Sequence, residues 1–250
     1  MLKKPDIYQV KRLTAVATTP AMQIQYNGSA LYGGAIASSG DLTLYADNTD
    51  GATTAVATLD LTTPAAADNT WGKVRNKINA LSGWRCFLIG VKPSDPIDTS
   101  IVNITSAAVK AAAGITLLTT SANTTHYRYG LCLTPQEYTA STAGNDLGDV
   151  TPRGYRALLT YLTTTCTYAS GAATLRVWSI NDEANTETLV YDDTPGATTV
   201  AKEIKFGLDY NSAVQGKIGD RLLVQVAMTT GVSISAVVMT IAGKIEYVGP

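Results

Sequence analysis

The chain has 250 residues, a formal net charge of −1 and a sequence pI near 5.8, so it is long enough for an apolar core without disulfides or metals and too neutral for its overall field to draw it to nucleic acid or anionic lipid. Charged residues make up 16% and apolar ones 45%, against roughly 25% charged in ordinary soluble domains, which leaves a surface of Thr, Ser, Asn and Gly, as in proteins packed into large assemblies or exposed outside cells. Cys86, Cys132 and Cys166 lie far apart and in no CxxC or Cys/His spacing, which argues against a disulfide framework or a zinc site and for reduced, mostly buried thiols.

The opening MLKKPDIYQV has the cations of a signal peptide but meets Pro5 and Asp6 where an apolar stretch would follow, so export by that route is not expected. YGGAIASSG (32–40) reads as a loop, and no glycine pattern of the GxGxxG or Walker kind implies a nucleotide site. DLTLYA (41–46) and TTAVATLDL (53–61) flank DNTDG, whose Asp50 and Gly51 signal a hairpin, so the two runs are expected to pair antiparallel.

DNTWGKVRNKINALSGW (68–84) then breaks the β texture. Trp71, Val74, Ile78 and Leu81 recur at helical spacing, Asp68, Asn69 and Thr70 offer an N-cap, and Gly83 stands where a C-cap glycine belongs, which predicts a helix near 70–82 with those four apolar residues buried on a sheet. Lys73, Arg75 and Lys77 fall between them and form a candidate interface. The favoured reading is a solvated outer face; contact with an acidic protein surface comes next, and nucleic acid is the least favoured partner in so neutral a chain.

WRCFLIGV (84–91) predicts a strand, whereas SIVNITSAAVKAAAGITLLTTS (100–121) mixes helical Ala with β-branched residues. His126 is the only histidine, with no GxSxG or comparable nucleophile motif, so a surface or strand histidine is favoured over a catalytic one. TPQEYTASTAGNDLGDVTPRG (134–154) reads as a linker, which places a domain boundary near 150.

Beyond it, RALLTYLTTTCTYA (156–169), ATLRVWSI (173–180), TETLVYDD (186–193), VAKEIKFGL (200–208), RLLVQVAM (221–228) and VSISAVVMTIAGKIEYV (232–248) alternate with turn residues and predict a sandwich. Leu222, Val224, Val226 and Met228 are expected on the buried side of a half-buried strand. The last run is too short and too interrupted to span a membrane as a helix. Asp47 and Asp50, Asp182 and Glu183, and Asp192 and Asp193 sit near predicted turns; they are read as turn residues, with a loop-tip calcium as the alternative. Tyr outnumbers Phe 13 to 2, which suits half-wet interfaces as well as strands in general.

The fold expected is therefore mainly β: an N-terminal β-rich domain (1–150) carrying one amphipathic helix on a sheet, and a C-terminal antiparallel β-sandwich (151–250). No catalytic residue, cofactor or metal site is predicted.

From DLTLYADNTDG through TWGKVRNKINALSGWRCFLIG (41–90) the chain resembles virion structural proteins of tailed bacteriophages, in which a strand pair precedes an INAL-x-GW helix and a further strand; Ile78, Asn79, Ala80, Leu81, Gly83 and Trp84 carry the similarity. The resemblance implies a virion component, made in the host cytoplasm and released by lysis, and the absence of a signal peptide pattern and of catalytic motifs, which points away from an enzyme, is compatible with it. A capsid decoration or cement protein is the first expectation, with the major capsid protein and copies of itself, as a homotrimer, as partners, and with neither nucleic acid nor membrane. A tail or head-fibre component binding host glycans is the second, and a polysaccharide hydrolase the third.

Overall fold

The computed structural model describes residues 7–15, 18–30, 32–38, 40–47, 54–61, 69–97, 103–108, 115–120, 128–133, 154–168, 173–193, 199–205, 213–228 and 234–249. His126, Asp50, Gly51 and nearly all of the 134–154 segment lie outside them. In chain order the first strands are β1 (Ile7–Ala15), β2 (Thr18–Tyr26), β3 (Tyr32–Ser38), β4 (Asp41–Asp47) and β5 (Ala55–Asp60), followed by helix α1 (Trp71–Ala80) and β6 (Trp84–Leu88). Then come β7 (Ile104–Ala108), β8 (Ile115–Thr120), β9 (Arg128–Leu133), β10 (Tyr155–Tyr168), β11 (Ala173–Asn181), β12 (Thr186–Asp193), β13 (Thr199–Lys205), β14 (Val214–Gln215), β15 (Arg221–Met228) and β16 (Ile234–Tyr247). The fold is mainly β, with four antiparallel sheets and, among the described residues, one short helix.

Two compact units divide the chain: β1 and β9–β16 form one, and β2 from Pro20 through β8, with α1, the other. The first is an antiparallel sandwich. One sheet runs β1-β16-β10-β13, with β14 also on β10, and the other β12-β11-β15-β9. β-Branched and Leu positions at period two supply the inward faces: Val237, Met239, Ile241 and Ile245 of β16 share a core with Leu175, Val177, Leu222, Val224 and Val226 of the opposite sheet. In β10 the register against β16 shifts between Leu159 and Tyr161, so the inward set is Ala157, Leu159 and Leu162 rather than a strict alternation.

The six runs expected after residue 150 are β10, β11, β12, β13, β15 and β16, within a residue or two at most ends. Two strands of the sandwich precede residue 150: β1 pairs with β16 from Ile7↔Ile245 to Ala15↔Val237, and β9 pairs with β15. β15 also departs from the half-buried expectation, since Arg221 to Val226 are all buried. It lies between β11 and β9, and its second face is the buried set Arg221, Leu223 and Gln225.

In the other unit the expected hairpin is present: β4 and β5 are antiparallel, Thr43 opposite Thr58, with their hydroxyls 3.3 Å apart. The 32–40 segment, expected as a loop, contains strand β3, which pairs along its whole length with β4. One of its glycines, Gly33, is dictated by a neighbour. An ideal Cβ on Gly33 would lie 2.4 Å from the ring of Tyr26, so the strand admits no side chain there and loses the β-branched signature by which strands are read. The ambiguous Ala-rich stretch contains β7 and β8. Sheets β6-β2-β8 and β5-β4-β3-β7 contribute to one core, in which Met22, Ile24, Leu42, Leu44 and Leu88 meet Trp71, Val74 and Ile78 of α1.

Candidate functional site

Helix α1 carries the only site residues singled out in the sequence, and its geometry begins with what fixes it. Thr70 occupies the N-cap with extended backbone but makes no side-chain cap bond. The first helical N–H groups instead find carbonyls of the loop after β6: Trp71 N–H donates to the Asp95 carbonyl (3.1 Å) and Gly72 N–H to that of Pro93 (2.9 Å). Gly72 is needed for that approach, because a Cβ would lie 2.8 Å from the Pro93 Cβ. The loop is itself held by Asp95, whose carboxylate accepts from the Lys92 backbone N–H at 2.9 Å. Backbone carbonyls thus occupy the positive end of the helix where an anion would otherwise be drawn.

At the other end the INALSGW motif acts as a fastener. Ile78 enters the core, and the side-chain amide of Asn79 bonds the backbone of β6 twice, accepting from Cys86 N–H at 2.6 Å and donating to the Cys86 carbonyl at 3.3 Å. Asn79 therefore pairs with β6 as a neighbouring strand would. Leu81, expected in the buried stripe, lies one residue past the helix and is half-buried. Gly83 has φ +79°, and an ideal Cβ there would sit 2.5 Å from the Gly28 Cα; both the conformation and the close approach require glycine. Its carbonyl accepts from Asn27 N–H at 2.6 Å. Trp84 then packs on Tyr26, ring centroids 5.1 Å apart, and the Tyr26 hydroxyl accepts from Ala30 N–H at 3.1 Å.

The three candidate interface cations do not share one environment. Lys73 and Lys77 are exposed, and Lys73 Nζ donates to Asn69 Oδ1 at 2.9 Å. Arg75, expected on a solvated face, is only 4% exposed. Its Nε and Nη2 donate to Asn76 Oδ1 at 3.2 and 2.8 Å. The reason lies in the helical period: Trp71, Val74, Arg75 and Ile78 stand at i, i+3, i+4 and i+7, the inward stripe of a globular helix. The exposed residues of α1 are thus Lys73, Asn76, Lys77, Asn79 and Ala80.

Of the acidic residues considered for chemistry, Asp47, Asp182, Asp192 and Asp193 have structural partners. Asp182 accepts from Arg221 Nε (2.6 Å) and Nη2 (3.3 Å), a bidentate pair with both side chains buried. Beside it Ser179 Oγ donates to Asp220 Oδ2 at 2.7 Å and accepts from Lys217 N–H at 2.9 Å. Asp192 pairs with Arg176 at 3.2 Å, Asp193 accepts from the Tyr191 hydroxyl at 3.3 Å, and Asp47 accepts from Thr54 N–H at 2.9 Å. Among the described residues no three His, Cys, Asp or Glu side chains are grouped as metal ligands. Sequence reasoning missed the buried Arg221–Asp182 pair, and the largely buried group of Arg156, Glu246 and Lys244, in which Arg156 bonds Glu246 and, through Nη1, Gln215 at 3.2 Å. Burial would raise the Glu246 carboxyl, but the hydrogen bonds and charges of Lys244 and Arg156 outweigh it and hold the carboxyl below its ordinary value.

No family model matches the chain, and no curated protein does. Among solved structures, the infectious bursal disease virus Gt strain overlaps all of this chain and 78% of its own at 8% identity, with a TM-score of 0.21. The VP2 subviral particle of the same virus overlaps 99% and 78% at 8% identity, with a TM-score of 0.20. TM-scores of that size establish no shared fold.

Proposed function

We propose that the chain is a structural component of a tailed-phage virion, a decoration or cement protein that binds the assembled shell through non-covalent contacts with the major capsid protein and with copies of itself in a homotrimer. The observation that carries the reading is the fit of the phage-like motif to its surroundings. Ile78 fills the core, Asn79 fastens the helix to β6, Gly83 makes the close turn and Trp84 packs on Tyr26, so the resembling residues act position by position rather than through composition alone. The engagement of Asp182 and Asp192 by arginines favours this reading over a hydrolase working through those carboxylates.

The test is to add the purified protein to undecorated capsids. A ligand that binds only the intact shell stabilises it by mass action, so the temperature of thermal disruption is expected to rise with protein concentration. No binding and no shift contradicts the reading. Specific signals on a glycan array would then move the preference to a fibre component, and turnover of a bound polysaccharide to a hydrolase.

A further inference from the structure

The two most exposed large apolar side chains among the described residues, Tyr8 (69%) and Val10 (74%), lie on one strand. That strand, β1, ends its sheet, and β16 is its one neighbour among the described strands. An edge of this kind is a template for a further strand, and natural edges are usually blunted by charge or bulges. β1 carries Lys11 and Arg12 and no acid. The other sheet of the sandwich ends in β12, which carries Glu187, Asp192 and Asp193 and no cation of its own, although Asp192 is paired with Arg176 and Thr188 accepts from Lys217 Nζ at 2.8 Å. β12 also exposes an apolar side chain, Leu189, at 42%. Across the sandwich β1 faces β9 whereas β12 faces β14, so the cationic and anionic edges stand at opposite corners of one unit.

We infer that β1 of one copy adds antiparallel to β12 of the next, joining a sheet of one sandwich to a sheet of its neighbour. Setting Val10 opposite Leu189 places Arg12 opposite Glu187 on the same face, because antiparallel partners advance in opposite directions two residues at a time. A β1–β1 pair between copies would instead bring two cationic strands together. Contact between unlike edges is head-to-tail, and such a contact closes into a ring when its rotation allows; three copies give the homotrimer. The inference rests on the self-association in the functional reading above, and not on binding to a shell.

The experiment uses the full chain in solution. Light scattering is expected to give three subunits, and a short bis-maleimide is expected to link subunits in the double variant Val10→Cys/Leu189→Cys well beyond the unsubstituted protein and either single variant. Links in Val10→Cys alone equal to those in the double variant would mean β1–β1 pairing and overturn the inference. An oligomer in which the double variant does not link would overturn it too, while leaving self-association intact. A strict monomer removes both, and shell binding is then judged by the capsid assay alone. Arg12→Glu is expected to weaken association about tenfold, as close interfacial charge pairs do, and Arg12→Glu/Glu187→Arg to restore it. With circular dichroism showing each variant folded, failure of the exchange to restore association counts against this register.

Discussion

In the sandwich unit the inward positions are aliphatic, long strands supply them at period two, and the chain reaches its neighbours through ladder hydrogen bonds. In the helix-bearing unit the decisive positions are small or polar: Gly33 and Gly28 lie against the ring of Tyr26, Gly83 against Gly28, and Asn79 binds a strand it does not belong to. The first unit is held mainly by repetition, with the buried Arg221–Asp182 pair and Gly243, whose Cβ would lie 2.2 Å from the Leu158 carbonyl oxygen, as local exceptions, and the second adds more single fastenings to its core. Truncating one aliphatic side chain in the sandwich should therefore weaken it by degrees, whereas one added methyl in the other unit displaces backbone.

The largest effect on the sandwich should come from removing strands rather than side chains. Residues 151–250 expressed alone lack β1 and β9, which border β16 and β15, and are expected to lose the cooperative thermal transition of the full chain. A sharp transition in that fragment would show that residue 150 is a folding boundary. Next is Asp182→Ala, which leaves Arg221 buried without its carboxylate and is expected to cost about 3 to 5 kcal/mol in denaturant unfolding. A cost below about 1 kcal/mol, the range of exposed pairs, would mean that the pair is solvated.

In the helix-bearing unit, Gly83→Ala and Asn79→Ala are each expected to cost about 1 to 3 kcal/mol, the first through its positive φ and the close Gly28, the second by leaving Cys86 backbone groups without their partner. Ile78→Ala should cost about 2 to 5 kcal/mol and half-buried Leu81→Ala less. Lys73→Ala and Lys77→Ala should each stay within about 0.5 kcal/mol. Arg75→Ala should exceed both if its buried position is right, and equal costs for all three cations would return Arg75 to the solvated face.

The strands after residue 150 are legible because Leu, Val and Ile recur between turn residues, and α1 because Trp71, Val74 and Ile78 keep the helical period. β3 is not legible, since Tyr26 imposes Gly33 upon it from another strand. Nor is the placement of β1 and β9, whose partners lie far along the chain; pairing at that separation leaves no local mark. Arg75 was legible in principle. Its spacing from Trp71 and Ile78 places it inward, but its charge suggests water.

A smaller effect is expected from pH. The Glu246 carboxyl is held below its ordinary value in the folded chain, so its contribution is fully present above about pH 4.3, the ordinary glutamate value, and is lost as the pH falls through the lower folded value. Glu246→Gln should lower Tm at neutral pH and lower it less at pH values near 3. An equal decrement at both would show that the carboxylate charge contributes nothing.

The most direct measurement is quantitative mass spectrometry of purified virions released by cells carrying the gene. This chain is expected in the particles at a fixed ratio to the major capsid protein, retained through density-gradient purification. Its absence from purified particles, with the protein found free in the lysate, would contradict a structural place in the virion.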